Sequence, residues 1–577
     1  MGLDKKWLLA EKAPEDFRER FAELPEIVAQ LLWNRGLHTQ EEVDEFLNPD
    51  YGADLHDPFL FRDMEAAVAR IYKAIERGEQ ITIHGDYDSD GVCGSVILAT
   101  TLEALGGKVD VFLPHRETDG YGLNPRTVTH LAQEGTNLII TCDNGISNKK
   151  EIEQAKELGI DTIVTDHHTV PTELPSAVAI IHPLVPGENY PCKNLAGGGV
   201  AFKLAQALIK KAYSLQLTAY SHLEPGFEKW LLDMAAISSV ADMVPLVGET
   251  RTMVRYGIIV LRHARRLGIR KLIEAAAMEK EKIDTTAIGF YLAPRINAAG
   301  RMNHANAAYK LLMSKNEEEA GRLALELNQQ NKDRQKLSEQ ILKEARAQII
   351  DQEQVDEPAL FAIGNNWPVG IVGLIAGKLA DEFYRPAVVI TLSSGEPTAS
   401  VRSIPELNMM EAMQAVSKYF KKFGGHPMAG GFSLNSLDDM AEFKKEMRAF
   451  VGEKLKGVEL SPKLKIDAEV ELEDIHWELY DILEKFSPFG MSNPEPRYLA
   501  KGVKVVGTSP VGADGKHMRL MVAHKTNVIR KAIGFCFGEW CQKLKMGDII
   551  DMVFEVGVNE WNGNRELQLK IVDLHKI

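Results

Sequence analysis

Four short apolar runs in the first half of the chain constrain its fold more than any other feature. The runs are mostly β-branched and are bounded by glycine or acidic residues, a pattern typical of buried strands. They lie at 81–83, 138–141, 162–165 and 237–240. Because segments with helical patterns separate the runs, we expect the strands to be parallel.

A cluster of acidic residues or histidines follows each run. The clusters are His84-Gly85-Asp86-Tyr87-Asp88-Ser89-Asp90-Gly91, Cys142-Asp143-Asn144-Gly145, Asp166-His167-His168 and Ala241-Asp242-Met243-Val244-Pro245. An open parallel sheet places its functional groups in the crevice beyond the carboxyl ends of its strands. The four clusters are therefore predicted to meet at one edge of the sheet.

Carboxylates and imidazoles brought together in this way indicate a metal centre. Six residues are predicted to be the ligands: His84, Asp88, Asp90, Asp143, His167 and Asp242. Without thiolates, this set favours Mn²⁺ or Mg²⁺. Six ligands are too many for one ion with open positions, so we expect two ions about 3.5–4 Å apart, bridged by Asp143. Such a pair activates water and stabilises charge on a phosphoryl group.

Each cluster also has an ordinary structural interpretation. A single aspartate at a strand end is usually a helix cap or a turn former. An isolated histidine is more often on the surface or satisfied in the core than a ligand. The recurrence of one chemical type after all four runs favours the metal interpretation. Asp86 and Asp166 are expected to orient the ligands rather than to bind metal.

We expect several domains, because the whole chain of 577 residues is too long for a single hydrophobic core. We expect an N-terminal helical segment at 1–75 that packs on a catalytic α/β domain at 76–265. Residues 266–350 are predicted to be helical. A capping box at Ser314 and Glu317 would begin either a long connecting helix or an ordinary core helix. A second, smaller α/β domain is predicted at 351–455. Several short strands at 460–577 indicate an OB-fold barrel.

The net charge of −15 argues mildly against a nucleic-acid-binding protein, since such proteins are more often basic overall. The stretch from Arg497 to Trp540 is nevertheless basic, with eight Lys and Arg against two acids. Tyr498, His517, Phe535 and Phe537 are interleaved with this charge, as in sequence-tolerant single-strand binding. Phe535 and Phe537 are expected to alternate into the barrel core.

The cysteine pattern and the hydropathy bear on the cellular setting. Five cysteines without a pairing pattern favour reduced thiols and a cytoplasmic location. We expect no association with a membrane, because no apolar stretch approaches the length of a spanning helix.

The ordered motifs resemble the DHH phosphoesterase superfamily and, within it, the single-strand-specific 5′→3′ DNA exonucleases. The resemblance covers nearly the whole chain. It extends to Pro294-Arg295-Ile296-Asn297-Ala298-Ala299-Gly300-Arg301, Phe423-Gly424-Gly425-His426 and Ser487-Pro488-Phe489-Gly490. It implies two metals on the six ligands named above, and that His168 contacts the scissile phosphate. It also implies that the second α/β domain is of the DHHA1 type.

The resemblance further implies a basic pocket for the 5′ end of DNA, formed by Arg116, Ser400 and Arg402. Arginine forks fit phosphate oxygens bidentately, which supports this assignment independently. Arg295, Arg301 and His426 are additional candidates for DNA contacts. Each of these side chains could instead serve a surface ion pair or a turn.

One departure from the family pattern is Trp367-Pro368-Val369-Gly370, where the family usually has histidine in place of Pro368. Proline can neither donate a hydrogen bond nor ligate a metal, so any contact made by that histidine is absent here.

The predicted activity is two-metal hydrolysis of single-stranded DNA from its 5′ end. One alternative is a phosphodiesterase of short oligonucleotides or cyclic dinucleotides. Another is a non-catalytic single-strand-binding replication scaffold. The resemblance also suggests a helicase and a single-strand-binding protein as partners.

Overall fold

A computed structural model describes residues 4–116, 118–215, 223–392, 396–526, 528–561 and 563–577. The chain divides into two compact units. Unit 1 contains residues 56–244 and 256–462, and unit 2 contains residues 5–55, 245–255 and 463–577. Within the described residues, we find no helix with the length and hydropathy needed to span a membrane.

Unit 2 begins with a strand and four short helices. They are β1 (Lys6–Leu9), α1 (Glu15–Arg20), α2 (Glu26–Asn34), α3 (Gln40–Leu47) and α4 (Tyr51–Asp54). Apolar side chains of α1 to α3 join one buried cluster with residues 468–574. The sequence predicts that residues 1–75 pack on the catalytic domain. The structure instead places residues 5–55 in unit 2, because β1 pairs in parallel with Lys463–Ile466.

The first α/β domain of unit 1 has a five-stranded sheet in the order β3-β2-β4-β5-β6, and every neighbouring pair is parallel, as predicted. Three of the four apolar runs form central strands of this sheet. Its elements are α5 (Met64–Arg77), β2 (Gln80–His84), α6 (Ser89–Ala104), β3 (Lys108–Phe112), α7 (Pro125–Gln133), β4 (Thr136–Cys142), α8 (Lys149–Glu157), β5 (Asp161–Thr165), β6 (Ala179–Ile181) and α9 (Gly197–Leu215).

The fourth apolar run is helical, which corrects the prediction of a strand at 237–240. It lies in α10 (Leu232–Ala241), which α11 (Gly248–His263) and α12 (Leu267–Ala275) follow. Residues 232–239 are buried on every face of α10, so the segment lacks the polar face that identifies a helix in a sequence. The hydroxyl of Ser239 donates to the Ala235 carbonyl (2.8 Å), which satisfies it within the helix.

A helical region follows, comprising α13 (Thr285–Ala287), a π-helical turn (Ile288–Leu292), α14 (Ala293–Met302), α15 (Asn306–Met313) and α16 (Glu317–Asp351). The 35-residue α16 forms the last part of the segment predicted to be helical. Its cap differs from the predicted Ser314–Glu317 box. Asn316 is the N-cap and accepts from the Glu319 amide (3.0 Å), whereas Ser314 donates to the Glu319 carboxylate (2.7 Å).

The second α/β domain also belongs to unit 1. Its sheet has the order β10-β11-β9-β8-β7, with β7 and β8 parallel and the other pairs antiparallel. The elements are β7 (Leu360–Gly364), α17 (Val369–Phe383), β8 (Ala387–Thr391), β9 (Thr398–Arg402), α18 (Met409–Ala415), β10 (Phe420–His426), β11 (Ala429–Leu434) and α19 (Met440–Lys454).

The C-terminal part of unit 2 is a five-stranded barrel, as predicted, because β14 pairs with both β15 and β17 and closes the sheet. The elements are β12 (Lys463–Ile466), β13 (Ala468–Glu469), α20 (Trp477–Leu483), β14 (Tyr498–Val511), β15 (His517–Ala523), β16 (Ile529–Gly534), α21 (Trp540–Lys543), β17 (Ile549–Trp561) and β18 (Asn564–Lys576). β17 and β18 pair as antiparallel strands, and Asn562 between them lies outside the described residues.

The two phenylalanines after β16 differ from each other. Phe537 packs against the barrel core, as expected. Phe535 is 59% exposed, which corrects the prediction that it is buried. Because both residues follow the end of β16, the alternation of a strand does not determine where their side chains point.

Candidate metal centre

The carboxyl ends of β2, β4 and β5 lie side by side and position three of the predicted ligands. In the sheet register His84 pairs with Thr141, and Cys142 pairs with Thr165. Asp143 and Asp166 therefore leave the sheet at the same edge as His84. Asp143 adopts a left-handed backbone conformation with φ 63°, a strained geometry for a residue with a side chain and one that is frequent at functional sites.

The predicted ligands form overlapping groups whose oxygen and nitrogen atoms lie within 4.8 Å of one another. Each group contains three residues that could hold a metal ion, and the groups are Asp143, His167, His168; Asp90, His167, Asp242; and Asp86, Asp88, Asp143. His167 Nε2 is 3.0 Å from Asp143 Oδ1, 3.5 Å from Asp90 Oδ2 and 3.7 Å from Asp242 Oδ2. Five of the six predicted ligands thus occur in these groups.

The remaining predicted ligand, His84, is buried at the same edge of the sheet and has a defined tautomer. The side-chain amide of Asn144 donates to the carbonyls of His84 and Cys142. Its Oδ1 can therefore only accept, and it accepts from His84 Nδ1–H (3.2 Å). His84 Nε2 then carries a lone pair, and it has no hydrogen-bond partner among the described residues. Burial lowers the pKa of His84 to about 4, which keeps the ring neutral and able to bind a metal.

Asp86 was predicted to orient ligands, and the structure places its carboxylate in a group with Asp88 and Asp143. Its buried Oδ1 has no hydrogen-bond partner among the described residues. A buried carboxylate oxygen without a partner is costly, and a cation would remove that cost.

The N-terminus of α9 holds Asp90 in place. The amides of Gly197 and Gly198 donate to its two carboxylate oxygens at 2.8 and 2.7 Å, and the Ser238 hydroxyl donates at 2.6 Å. A Cβ on Gly197 would lie 2.5 Å from the Asp143 Cβ. Glycine at this position therefore allows α9 to approach two carboxylates and direct its positive end at them.

Asp166 organises the turn that carries both histidines. Its oxygens accept from the amides of Ile146, His167 and His168 and from the His168 ring at 2.8 Å. Although burial acts in the opposite direction, these hydrogen bonds lower the pKa of Asp166 to about 2. Burial also opposes protonation of His168, yet the bond to Asp166 raises its pKa to about 9. His168 is therefore cationic at neutral pH in the metal-free protein.

Tyr121 adds a contact that the sequence did not predict. Its hydroxyl donates to the Asp143 carbonyl (2.9 Å), and its oxygen is 2.9 Å from His168 Nδ1. Burial and the nearby Asp166 raise the pKa of Tyr121, so the phenol keeps its proton and restrains both neighbours.

The carboxylates of the cluster repel one another. Burial, followed by the charges of Asp90 and Asp88, raises the pKa of Asp143 well above its usual range and that of Asp242 to about 8. Burial and Asp90 also raise the pKa of Asp88. Clustered carboxylates of this kind need protons or cations. Together with the unpartnered atoms of His84 and Asp86, the donor set fits two divalent cations with oxygen and nitrogen ligands.

A second cluster, of arginines, lies beside the carboxylates. Arg116 stacks on the ring of Tyr87, with its Cζ 4.1 Å from the ring centroid, and its buried Nε has no partner among the described residues. Burial, and then the charge of Arg116, lowers the pKa of Arg301 to about 10; Asp88 opposes this shift, whereas Arg334 and Arg402 add to it. Several guanidinium groups in each other's field favour a bound anion.

Helix α17 begins within this arginine cluster. Arg301 Nη1 donates to the Gly370 carbonyl (2.8 Å). A Cβ on Gly373 would lie 3.2 Å from Arg402 Nη2 and 3.5 Å from Ser400 Oγ. Arg301, Ser400 and Arg402 therefore converge near the positive end of a 15-residue helix. Pro368 is the N-cap of this helix, where the missing N–H breaks no helical hydrogen bond.

Two other predicted DNA contacts lie in different surroundings. Arg295 is buried, and its guanidinium donates to Asn328 Oδ1 (3.1 Å) and the Tyr291 carbonyl (2.8 Å). Its guanidinium thus restrains the π-helical turn. His426 is exposed at the end of β10, so it is accessible to a ligand.

Several supporting residues are not predicted from the sequence: Gly197, Gly198, Ser238, Asn144, Tyr121 and Arg334. The run Gly197-Gly198-Gly199 at the start of an apolar helix was a usable signal, since such a helix N-terminus binds anionic groups. The other residues gave no comparable signal, because their partners are distant in the sequence.

The sequence of the chain matches those of known protein families. Three family models match in order: the DHH family N-terminal domain at 80–237, the DHHA1 domain at 356–453 and the RecJ OB domain at 466–573. The single-stranded-DNA-specific exonuclease RecJ of Bacillus subtilis is 37% identical over 95% of this chain and 67% of its own length. That of Salmonella typhimurium is 30% identical over 98% of both chains. The chain belongs to the RecJ family.

Solved structures of the RecJ family agree with this assignment. The crystal structure of Thermus thermophilus RecJ in complex with Mn²⁺ has a TM-score of 0.83 and 27% identity, over 99% of this chain and 80% of that one. The complex of the same protein with Mg²⁺ has a TM-score of 0.77 and 25% identity, over 99% and 78%. The RecJ fold is therefore common to both proteins. In this chain, groups of residues that could hold a metal ion lie at the carboxyl edge of the DHH sheet.

Proposed function

We propose that this chain hydrolyses single-stranded DNA from its 5′ end with two divalent cations, Mn²⁺ or Mg²⁺. The observation that supports this most strongly is the juxtaposition of the cation-demanding carboxylate groups with the arginine cluster. Burial and repulsion of Asp88 and Asp143 favour bound cations, while the charges around Arg301 favour a bound anion. Asp88 acts on both clusters, because its charge opposes the lowered pKa of Arg301.

The residues proposed to hold the cations are His84, Asp88, Asp90, Asp143, His167 and Asp242, and Asp86 is close enough to take part. When bound, two such ions supply an activated water and stabilise charge on a phosphoryl group. The chain itself contributes the position of each ligand. Gly197, Gly198 and Ser238 fix Asp90, and Asn144 directs the His84 lone pair.

We propose that His168 contacts the scissile phosphate. It is partly exposed, cationic at neutral pH and oriented by Asp166 and Tyr121. An imidazolium in this position donates a charge-assisted hydrogen bond to a phosphoryl oxygen, and this bond strengthens as negative charge builds up.

Arg116, Arg301, Ser400 and Arg402 are proposed to bind the 5′-terminal phosphate. Three kinds of group that bind phosphate meet there: guanidinium forks, a hydroxyl and a helix N-terminus. His426 is proposed as a further DNA contact, whereas Arg295 acts through the π-helical turn.

We also propose a helicase and a single-strand-binding protein as partners, as the family resemblance suggests. A cytoplasmic location is proposed from the five cysteines, which are all free thiols in the structure.

The test of the proposed function is digestion of a single-stranded oligonucleotide labelled at either end, with Mn²⁺, Mg²⁺ or chelator. The 5′ label should appear at once in mononucleotides, and the 3′ label in progressively shorter strands. Chelator should abolish the digestion of both labelled strands. An Asp143→Asn variant should cut at least about a hundredfold more slowly than the native protein. A matched Asp110→Asn variant, which changes an exposed carboxylate on β3, should keep full activity. Release of the 3′ label first, or activity without metal, would refute the proposal.

A further inference from the structure

Exposed apolar side chains lie on two segments that approach each other at Val240, two residues before the proposed ligand Asp242. Met243, which follows the ligand Asp242, is 64% exposed, and its backbone has φ 57°. Phe290 and Tyr291 are 73% and 48% exposed. Gly289, the residue before Phe290, faces α10, because a Cβ there would lie 3.8 Å from Val240 Cγ1. We call Met243, Phe290 and Tyr291 the apolar platform.

The two aromatic residues of the platform lie on a restrained backbone turn. Phe290 and Tyr291 belong to the π-helical turn Ile288–Leu292, and π-helical turns are uncommon and frequently occur at functional sites. The guanidinium of Arg295 holds this turn from within, since it donates to the Tyr291 carbonyl. An exposed aromatic ring on a restrained turn loses little conformational entropy when a ligand stacks on it.

Hydrogen bonds connect the following helix to Ser89, a neighbour of two proposed ligands. The Ser89 hydroxyl donates to the Ala293 carbonyl (3.0 Å), and the Ser89 amide donates to Asn297 Oδ1 (2.8 Å). Ser89 lies between the ligands Asp88 and Asp90. The segment that carries Phe290 and Tyr291 is therefore held near the proposed ligands in two ways, through Ser89 and through α10.

The π-helical turn with Phe290 leads directly into α14, which carries Arg301 of the arginine cluster near its other end. Phe290 and Arg301 are eleven residues apart, which corresponds to about 16 Å along a helix axis. One nucleotide advances a strand by about 3.4 Å in a duplex. A base on the platform therefore belongs to a different nucleotide from the one whose phosphate the arginines bind.

We propose that the apolar platform stacks an unpaired base on the 3′ side of the scissile phosphate. This inference rests on the proposed function, which places the 5′ end at the arginines and the reacting phosphate at the cations. The next bases of the strand then pass Asp242 and meet Phe290. Flat aromatic faces bind bases without regard to sequence, and a paired base cannot present its face in this way. The platform thus contributes to the selection of single strands.

The test is a scan with abasic residues, in an Asp143→Asn background that binds without cleaving. Oligonucleotides with one abasic residue at successive positions from a 5′ phosphate are titrated by fluorescence anisotropy. With Phe290 present, one position 3′ of the scissile bond should raise Kd by about tenfold. With Phe290→Ala, the intact strand should bind about tenfold more weakly, and the abasic residue at that position should have no further effect.

Two control variants separate stacking from damage to the fold. Leu325→Ala removes a side chain of similar exposure, 63%, from α16 and should leave the abasic profile unchanged. Phe290→Tyr retains a flat ring and should keep the coupling. The inference is overturned if the abasic effect is the same with and without Phe290. It is also overturned if Phe290→Ala changes the oligomeric state, since the platform would then bind another copy of the chain. Failure of the native protein to bind or cut single strands would instead refute the proposed function.

Discussion

At the scale of single residues, the centre is defined by groups that are not satisfied within the protein. His84 Nε2 and Asp86 Oδ1 are buried without hydrogen-bond partners, and Asp88, Asp143 and Asp242 have raised pKa values. Such groups are expensive in a core unless a ligand compensates them. The same residues would have little reason to be buried together in a protein without cations.

A pH-dependent stability follows from these shifts in the metal-free protein. Asp242 has a pKa of about 8 in the folded state, far above that of a carboxyl group in an unfolded chain. The pKa of His168 is raised from 6.5 to about 9. Between pH 6.5 and 8 the folded state thus binds more protons than the unfolded state, so stability falls as the pH rises. Below pH 6.5 the lowered pKa of His84 acts in the opposite direction.

We therefore expect Tm in chelator to decrease between pH 6.5 and 8, as measured by differential scanning calorimetry. Saturating Mn²⁺ should raise Tm and weaken this decrease, since the cations replace the protons on the carboxylates. An Asp242→Asn variant should show a smaller decrease in chelator. A Tm that rises with pH over this window without metal would contradict the assigned shifts.

The residue types of the proposed ligands could be predicted from the sequence, because all of them except Asp242 lie at or within a few positions after the end of a short strand. Their supports could not be predicted as readily. Ser238 bonds Asp90 from 148 positions away, and Asn144 bonds His84 from 60 positions away. Nothing in the local pattern of either residue indicates such a partner.

At the scale of elements, the positive end of α9 is the main support of the centre. The helix reaches Asp90 and Asp143 because residues 197–199 are glycines and allow close approach. A helix N-terminus stabilises carboxylates in the same way as it stabilises phosphates.

Gly197→Ala is expected to displace Asp143 or α9, because the new Cβ would lie 2.5 Å from the Asp143 Cβ. We expect a loss of about tenfold or more in metal affinity and in nuclease rate. Gly321→Ala is the matched control. Gly321 lies in α16 with no atom within 4 Å of a new Cβ, and the change should stabilise the protein by about 1 kcal/mol without affecting activity. Equal activity of the two variants would show that α9 does not support the centre.

The strands at 81–83, 138–141 and 162–165 were predictable because they are short, β-branched and bounded by polar residues. The same reasoning was wrong for 237–240. Buried on every face, α10 gives no amphipathic signal, and its two serines satisfy their hydroxyls on Asp90 and on the Ala235 carbonyl. Apolar segments of this length do not distinguish a buried strand from a buried helix.

At the scale of the whole molecule, the two units have distinct roles. Unit 1 contains all the proposed cation ligands and the arginine cluster. Unit 2 contains the closed barrel, to which the N-terminal helices contribute core side chains. This contribution could not be predicted, because β1 pairs with a strand more than 450 residues away.

Phe535 is the aromatic side chain of the barrel for which the structure most favours a role in strand binding. It is exposed in the basic stretch, and its ring meets His517 edge-on at 5.4 Å. The Cys536 amide donates to His517 Nδ1 (3.0 Å) and orients that ring. We expect Phe535→Ala to weaken the binding of long single strands by about 1–3 kcal/mol, as measured by fluorescence anisotropy.

The matched control for Phe535 is Met546→Ala, which removes another exposed apolar side chain of the barrel domain. This variant should bind long strands normally. A role for Phe535 is excluded if both variants bind like the native protein, or if both lose the same amount of affinity.

Two divalent cations are expected to bind at one edge of the DHH sheet. The most direct measurement is anomalous diffraction from crystals grown with Mn²⁺. We predict two peaks about 3.5–4 Å apart, with Asp143 between them and His84, Asp88, Asp90, His167 and Asp242 around them. A single peak, or Mn²⁺ bound away from these residues, would contradict the account.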